Sequence, residues 1–306
     1  GTEVDHFGWV ASLSPLDIAV IQDKYGVNEE WAAGNDSYTI KDFNGPGNYY
    51  SSIWDAGGTD EIAYDGTADA LIDLRPATLQ YEEGGGGRVS YAHGIHGGFT
   101  IANGVTIENA RSGSGNDLLN GNEAANRLES GAGNDTLAGN GGDDLLIGGS
   151  GSDMLAGGAG ADRFIYLSHA DSAAGTGPDV ITDFAQGSDL LVLSGLNASK
   201  FIGNGLFSGQ AGQVRYATFD GTTIIELDSN GDRIADFQVE LENSVSLRFG
   251  DFLGLEIDGT AGGGGRGGGK KSNLQEWKDL SSNGQDAGGP QLATSHEAGL
   301  MNEYLI

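Results

Sequence analysis

The chain has 306 residues, with 44 Asp or Glu against 15 Lys or Arg and a formal net charge of −29. That balance argues against nucleic acid and anionic membrane as partners, and it fits a protein that neutralises itself with bound cations. There are 55 glycines and no cysteine, which excludes a disulfide framework and thiol chemistry. No apolar run approaches the roughly eighteen residues that a membrane span requires.

The start, Gly-Thr-Glu-Val-Asp, shows no charged-then-apolar leader and reads as a fragment or processed product. Residues 14–26 (SPLDIAVIQDKYG) predict a helix, with Ser14 as its cap, Pro15 in the first turn and Gly26 at its end. Ile18, Ile21 and Tyr25 fall on one face, which should pack inward. From Asn35 to about Ile107 the segments SYTIKDF, SSIWDAGGTDEIAYDG, ALIDLRP and VTIENA predict short strands and turns. In WDAGGTD two carboxylates flank a Gly-Gly pair that lets carbonyls converge on one ion; an acidic turn in solvent is the alternative. His93 and His96 lie three apart but lack a third metal ligand, so a surface loop is expected there.

Ser112 to Ile165 is a repeat of nine: SGSGNDLLN, GNEAANRLE, SGAGNDTLA, GNGGDDLLI, GGSGSDMLA, GGAGADRFI. Each block is a Gly-rich half followed by a short apolar half. Position six carries Asp117, Asn126, Asp135, Asp144, Asp153 and Asp162, and position eight carries Leu119, Leu128, Leu137, Leu146, Leu155 and Phe164. Three residues such as Asp153-Met154-Leu155 suffice for a strand with the leucine inward, and the glycines allow the tight turn. Two blocks then make one coil of eighteen residues, and coils stack at roughly 4.8 Å. Asp117, Asp135 and Asp153 form one column of turns, which Asp171 is in register to continue; Asn126, Asp144 and Asp162 form the other. Such columns repel themselves unless cations sit between turns, and oxygen donors without Cys or His suit Ca²⁺ better than Zn²⁺ or Mg²⁺. A Gly-rich linker is the rival reading, but linkers carry no leucine in phase every nine residues. Asp135 has a partner turn on each side, whereas Val180 stands eighteen residues after Asp162, so Asp135 should matter more. Asn126 removes one negative charge from its column, so Asn126→Asp should favour calcium binding.

DVITDFAQGSDLLVLSGL follows as a closing segment, because the last coil would otherwise expose a sheet end. VRYATFDGTTIIELDSNGDRIADFQVEL reads as a β meander. Its loop, with Asp228, Asn230, Asp232 and Asp236, has the spacing of half a calcium loop, with Arg233 in place of Gly and Val239 in place of Glu. A calcium site and an Asx-rich hairpin turn both remain open for it. Residues 259–271 have the composition of a flexible linker, and 272–306 are expected to be a disordered tail with a transient helix starting near Ser272.

The nonapeptide is identified as the hemolysin-type RTX repeat, a calcium-binding parallel β-roll. The order DIAVIQDKYG, GNDSYTI, WDAGGTDEIAYDG, VTIENARSGSGNDLLNGN and then nonapeptides resembles the C-terminal domain of the serralysins, secreted bacterial zinc metalloproteases, over residues 12–253. The resemblance implies a mainly β fold, a parallel roll at 112–165 with flanking strands and one N-terminal helix; the disordered tail, which has no counterpart in the family, is expected from its composition. The resemblance divides the chain into 1–33 (helix and linker from the end of a protease-type domain), 34–258 (the serralysin-like domain) and 259–306 (linker and tail). It implies Asp55, Gly57, Gly58, Asp60, Thr106 and Glu108 as calcium ligands, with the segment of Ala33, Asn35 and Ser37 contributing. In the roll it implies the sixth-position aspartates and carbonyls of the first four positions: Gly113 and Gly115 before Asp117, then Ser130, Gly131, Ala132 and Gly133 before Asp135. The same holds for Gly139, Gly141 and Gly142 before Asp144, for Gly148, Gly149, Ser150 and Gly151 before Asp153, and for Gly157, Gly158, Ala159 and Gly160 before Asp162. Asp179, Asp183 and Asp189 resemble the segment that caps the roll, which implies Asp179 and Asp189 as further calcium ligands, with Asp171 and Asp183 less distinctively so.

The family's His-Glu-x-x-His-x-x-Gly-x-x-His signature is absent: His296-Glu297 is the only His-Glu pair, with Leu300 four residues beyond His296. No catalytic residue is therefore assigned, the chain alone is expected to be inactive, and zinc would belong only to a protease domain. The resemblance further implies several calcium ions, export by type I secretion machinery, an extracellular location and a monomer. Asp251-Phe252-Leu253 and Glu303 to Ile306 both have the acidic-then-apolar form of such an export signal. A stand-alone calcium-binding or adhesion module with no protease attached is the alternative.

Overall fold

The computed structural model describes residues 13–25, 30–175 and 177–255. The expectations for Gly26 and for 259–306 lie outside them. The helix runs Pro15–Tyr25. Ser14 caps it reciprocally: the Asp17 N–H donates to Ser14 Oγ at 3.2 Å, and the Ser14 N–H donates to Asp17 Oδ2 at 3.0 Å. Ile18 is buried in the core and Ile21 is half-buried, so these two positions of the expected face pack inward; the Tyr25 side chain lies outside what is described.

The rest is mainly β, in two large sheets that face each other across one apolar interior. The first contains Ser37–Thr39, Glu61–Ala63, Asn109–Arg111, Arg127–Glu129, Leu145–Ile147, Arg163–Ile165, Leu190–Val192 and Phe252–Leu253, all parallel. The second runs through Ala70–Asp73, Leu118–Asn120, Thr136–Gly141, Met154–Ala159, Asp179–Ile181 and Phe237–Leu241 in parallel, then into the antiparallel hairpin Thr222–Asp228 and Gln213–Phe219. Lys200–Phe201 and Tyr91–Ala92 sit at its two edges, and Tyr50–Ile53 with Gly98–Ile101 forms a small third sheet.

Within the repeat the register is eighteen residues, as the spacing predicts: Leu119 pairs with Leu137 and Leu137 with Leu155, while Leu128 pairs with Leu146. The side-chain period of two turns every eighth-position residue inward. Leu119, Leu128, Leu137, Leu146, Leu155 and Phe164 are each no more than 1% exposed. Ile72 and Ile181 continue the column of the second sheet, and Ile62, Ala110, Leu191 and Phe252 that of the first. Truncating Leu137 to alanine removes buried contacts to both neighbours and should cost about 2–5 kcal/mol. Met154→Ala, on the outer face at 49% exposure, should cost far less. Denaturant midpoints at fixed calcium measure both.

The register changes after Ile165. Met154 pairs with Val180 and Arg163 with Leu190, because LSHADSAAGTGP adds a longer connection where a Gly-rich half would stand. Asp179 therefore continues the first column and Asp189 the second. This corrects two expectations: Asp171 does not continue the first column, and Asp162 does not lack a partner after it. Among the described residues no helix is long and apolar enough to cross a membrane.

Candidate functional site

Each sixth-position carboxylate sits just before its strand, where the chain leaves the turn. Its Oδ1 accepts the backbone N–H of the matching residue one coil earlier. In the first column Asp117 Oδ1 accepts from Ala70 at 2.7 Å, Asp135 from Asp117 at 2.8 Å, Asp153 from Asp135 at 2.9 Å and Asp179 from Asp153 at 2.9 Å. In the second, Asp60 accepts from Asp36 at 2.7 Å, Glu108 Oε2 from Asp60 at 2.8 Å, Asp144 from Asn126 at 2.7 Å, Asp162 from Asp144 at 3.0 Å and Asp189 from Asp162 at 3.1 Å. One oxygen of each carboxylate thus holds the stack together.

The other oxygen does not. Oδ2 of Asp60, Asp117, Asp135, Asp144, Asp153, Asp162 and Asp179 is buried with no hydrogen-bond partner among the described residues. None of these seven residues is more than 3% exposed. A buried carboxylate oxygen without a partner is strongly unfavourable, and a stack of them is worse. Burial, reinforced by neighbouring carboxylates, pushes Asp60 and Asp135 up to about 6, Asp144 and Asp153 up to about 7, and Asp179 up to about 8. Burial also raises Asp117, Asp162, Asp171, Asp189 and Glu108. Divalent cations between turns would satisfy these oxygens and remove the repulsion.

Glycines keep the space beside those oxygens open. A Cβ at Gly139, Gly148 or Gly157 would collide with Oδ2 of Asp144, Asp153 or Asp162. At Gly151 the requirement is conformational as well: φ is 151°, and a Cβ would strike the Gly133 carbonyl of the coil below. The remaining residues implied by the resemblance lie in these same turns. Several of their carbonyls accept one protein hydrogen bond: Gly113 from Ala132, Gly131 from Ser150, Ser150 from Gly133 and Ala159 from Gly142. A second lone pair stays available on each. Oxygen donors, buried negative charge and a glycine-lined space together fit calcium.

At the N-terminal end of the second column Asp36, Asp55 and Asp60 bring carboxylate oxygens within 4.8 Å of one another. Gly57 N–H donates to Asp55 Oδ1 at 2.9 Å, and the Tyr38 hydroxyl donates to Asp55 Oδ2 at 2.5 Å. Glu108 joins through its bond from Asp60 N–H. Gly58 packs so tightly that a Cβ would strike the Gly34 carbonyl. Sequence reasoning missed Asp36 while naming Asn35 and Ser37 beside it. The signal was available: Asp36 precedes Ser37–Thr39 as Asp60 precedes Glu61–Ala63. Thr106 is exposed and lines a shallow hollow with Pro76, Asn122 and Glu123.

The other candidate carboxylates are engaged by backbone N–H groups. Asp171 Oδ2 accepts from Leu167 and Ser168, and Asp183 caps the last repeat by accepting from Gly157 and Gly158. In the 228–236 loop, Asp228 accepts from Gly231 and Arg233, Asp232 from Ile234, and Asp236 from Ser229, while Asn230 accepts from Asp232. That is the arrangement of an Asx-rich hairpin turn. His93 and His96 are exposed.

The family model described as Peptidase M10 serralysin C terminal matches residues 21–253. A metallopeptidase AprA of Pseudomonas marginalis is 42% identical over 241 residues, covering 73% of this chain and 45% of the relative. A serralysin of Proteus mirabilis is 41% identical over 269 residues, covering 81% of this chain and 52% of the relative. The chain thus spans about half the length of these curated relatives. Among solved structures, the AlgE6R2 subunit of the Azotobacter vinelandii mannuronan C5-epimerase is 34% identical, covering 45% of this chain and 87% of its own, at a TM-score of 0.37. Overall likeness at that level carries no argument.

Proposed function

This chain belongs to the serralysin C-terminal family of peptidase M10, and from that premise we propose that it is the calcium-binding β-roll domain of an extracellular zinc metalloendopeptidase. The reading rests most on the seven buried carboxylates, each with one oxygen in the stack and the other unpartnered. Asp117, Asp135, Asp153 and Asp179 would hold ions along one column. Asp144, Asp162 and Asp189 would do so along the other, and Asp36, Asp55, Asp60 and Glu108 at its N-terminal end. Calcium supplies positive charge and a flexible oxygen coordination shell there, and no bond is made or broken.

The binding sites are assembled from residues a coil apart, so they do not exist in the unfolded chain. Binding energy is then folding energy. A chain of charge −29 stays extended where calcium is scarce and folds where it is plentiful, which suits export through type I machinery before folding. Zinc and peptide hydrolysis would belong to a protease domain and not to the residues described here. In a chelator the protein should lose its β-sheet circular dichroism, and added calcium should restore it. Magnesium at the same concentration should not, because it dehydrates reluctantly and demands a rigid octahedron. An unchanged spectrum on chelation, or equal rescue by magnesium, would overturn the proposal.

A further inference from the structure

The second column is interrupted at Asn126, where an amide with a partner on every polar atom stands in place of the carboxylates of the turns around it. Asn126 Oδ1 accepts the Asn122 N–H at 2.7 Å, and its Nδ2 donates to the Glu108 carbonyl at 3.1 Å and to Asn122 Oδ1 at 3.2 Å. Asn122 Nδ2 donates to the carbonyls of Ile107 at 2.8 Å and Leu74 at 3.2 Å, and Asn122 Oδ1 accepts from Ala124 at 2.8 Å. Both residues are buried, at 5% and 2% exposure. Every polar atom of the two amides therefore has a protein partner. Three carbonyls of the coil below, those of Leu74, Ile107 and Glu108, accept from these amides, so the amide N–H groups stand where a cation would otherwise meet them.

The backbone differs too. At the matching position of the next four blocks Gly131, Asn140, Gly149 and Gly158 are left-handed, with φ of 94°, 75°, 89° and 96°; Asn122, like Gly113 in the block before it, is not. A Cβ at Gly121 would meet Asn126 Oδ1, just as one at Gly139, Gly148 or Gly157 would meet an aspartate Oδ2. The oxygens occupy equivalent places, but in those three turns the oxygen has no partner and here it accepts the Asn122 N–H.

We propose that the Gly121–Asn126 turn is a metal-free lock, in which two buried asparagines replace the ion that the neighbouring turns require. The lock splits the second column into two separate ion-bearing stretches, Asp36 to Glu108 before it and Asp144 to Asp189 after it. It also reverses the effect expected from charge alone. Asn126→Asp exchanges an N–H donor for an oxygen that faces the Glu108 carbonyl and Asn122 Oδ1, so it breaks two bonds and sets acceptors against each other.

The inference rests on the calcium reading above, which the wild-type ion count and calcium titration test separately. The lock is tested by two variants of the full chain, Asn126→Asp and Asn122→Ala, each titrated with calcium by circular dichroism and counted for bound ions at saturation. Each should need roughly twofold or more calcium to reach its folding midpoint than the wild type, from the lost buried hydrogen bonds. Neither should bind an additional ion. A lowered midpoint or a gained ion in Asn126→Asp would overturn the lock. If that variant fails to fold at any calcium concentration, Asn122→Ala decides: an unmoved midpoint overturns the lock, and a raised one supports it.

Discussion

Replacing Asp153 by alanine should raise the calcium needed to fold the chain more than any change on the outer face of the roll. Asp153 is 1% exposed, its Oδ1 holds the Asp135 N–H at 2.9 Å, and its own N–H is held by Asp179. Its Oδ2 has no protein partner. Alanine would leave the Asp135 N–H buried and unbonded, break the stack at its middle and remove a carboxylate from two successive ion sites. Losses of this kind are on the order of a few kcal/mol. Because several ions bind in the same folding step, that energy is shared among them, and the midpoint should move roughly twofold to tenfold. Asp232→Ala removes only one bond, to the Ile234 N–H at the rim of an exposed loop, and should leave the midpoint in place. An Asp153 variant with the wild-type midpoint, or an Asp232 variant shifted equally far, would sink this assignment of ligands.

The same titration separates the structural register from simple counting along the chain. Counting by eighteen makes Asp135 a two-sided residue and Asp162 a one-sided one. In the structure Asp162 accepts the Asp144 N–H and donates its own to Asp189, so it has a partner on both sides. Asp135→Ala and Asp162→Ala should therefore shift the midpoint by similar amounts.

That difference marks how far the chain could be read without coordinates. Period and hydrophobic phase are local properties, so the inward leucines, the eighteen-residue coil and both columns between Asp117 and Asp162 followed from spacing alone. Ser14, Pro15 and Ile18 announced the helix for the same reason. The coils before Ser112 carry no nine-residue signal. Asp36 meets Asp60 after 24 residues and Asp60 meets Glu108 after 48, because loops of unequal length stand where the glycine halves would be. The connection after Tyr166 likewise hides from counting by eighteen that Asp179 and Asp189, which the resemblance names, complete the stacks in place of Asp171 and Val180. The Asn122–Asn126 network was invisible for another reason: an amide in place of a carboxylate reads as lost charge, and only its partners show that the turn is closed differently.

Acid should stabilise the calcium-free fold, which inverts the usual expectation for an acidic protein. In the unfolded chain the aspartates titrate near their ordinary value of 3.8. In the folded chain burial holds Asp60 and Asp135 at about 6, Asp144 and Asp153 at about 7 and Asp179 at about 8. Between those limits the folded state binds more protons than the unfolded state, so stability falls as pH rises. The contribution is complete below pH 3.8, is lost progressively from there up to about pH 8, and is flat above. A proton on each carboxylate neutralises the charge that calcium would otherwise offset. The groups titrate as coupled sets, so their shifts do not add; a net gain of order a few kcal/mol between pH 8 and pH 5 is expected. Chelated protein should accordingly show more β-sheet signal, or a higher urea midpoint, at pH 5 than at pH 8. With saturating calcium the slope should flatten, because the ligands stay ionised in both states across that range. Chelated protein that weakens steadily on going from pH 8 to pH 5 would mean that these carboxylates are not buried against one another without calcium.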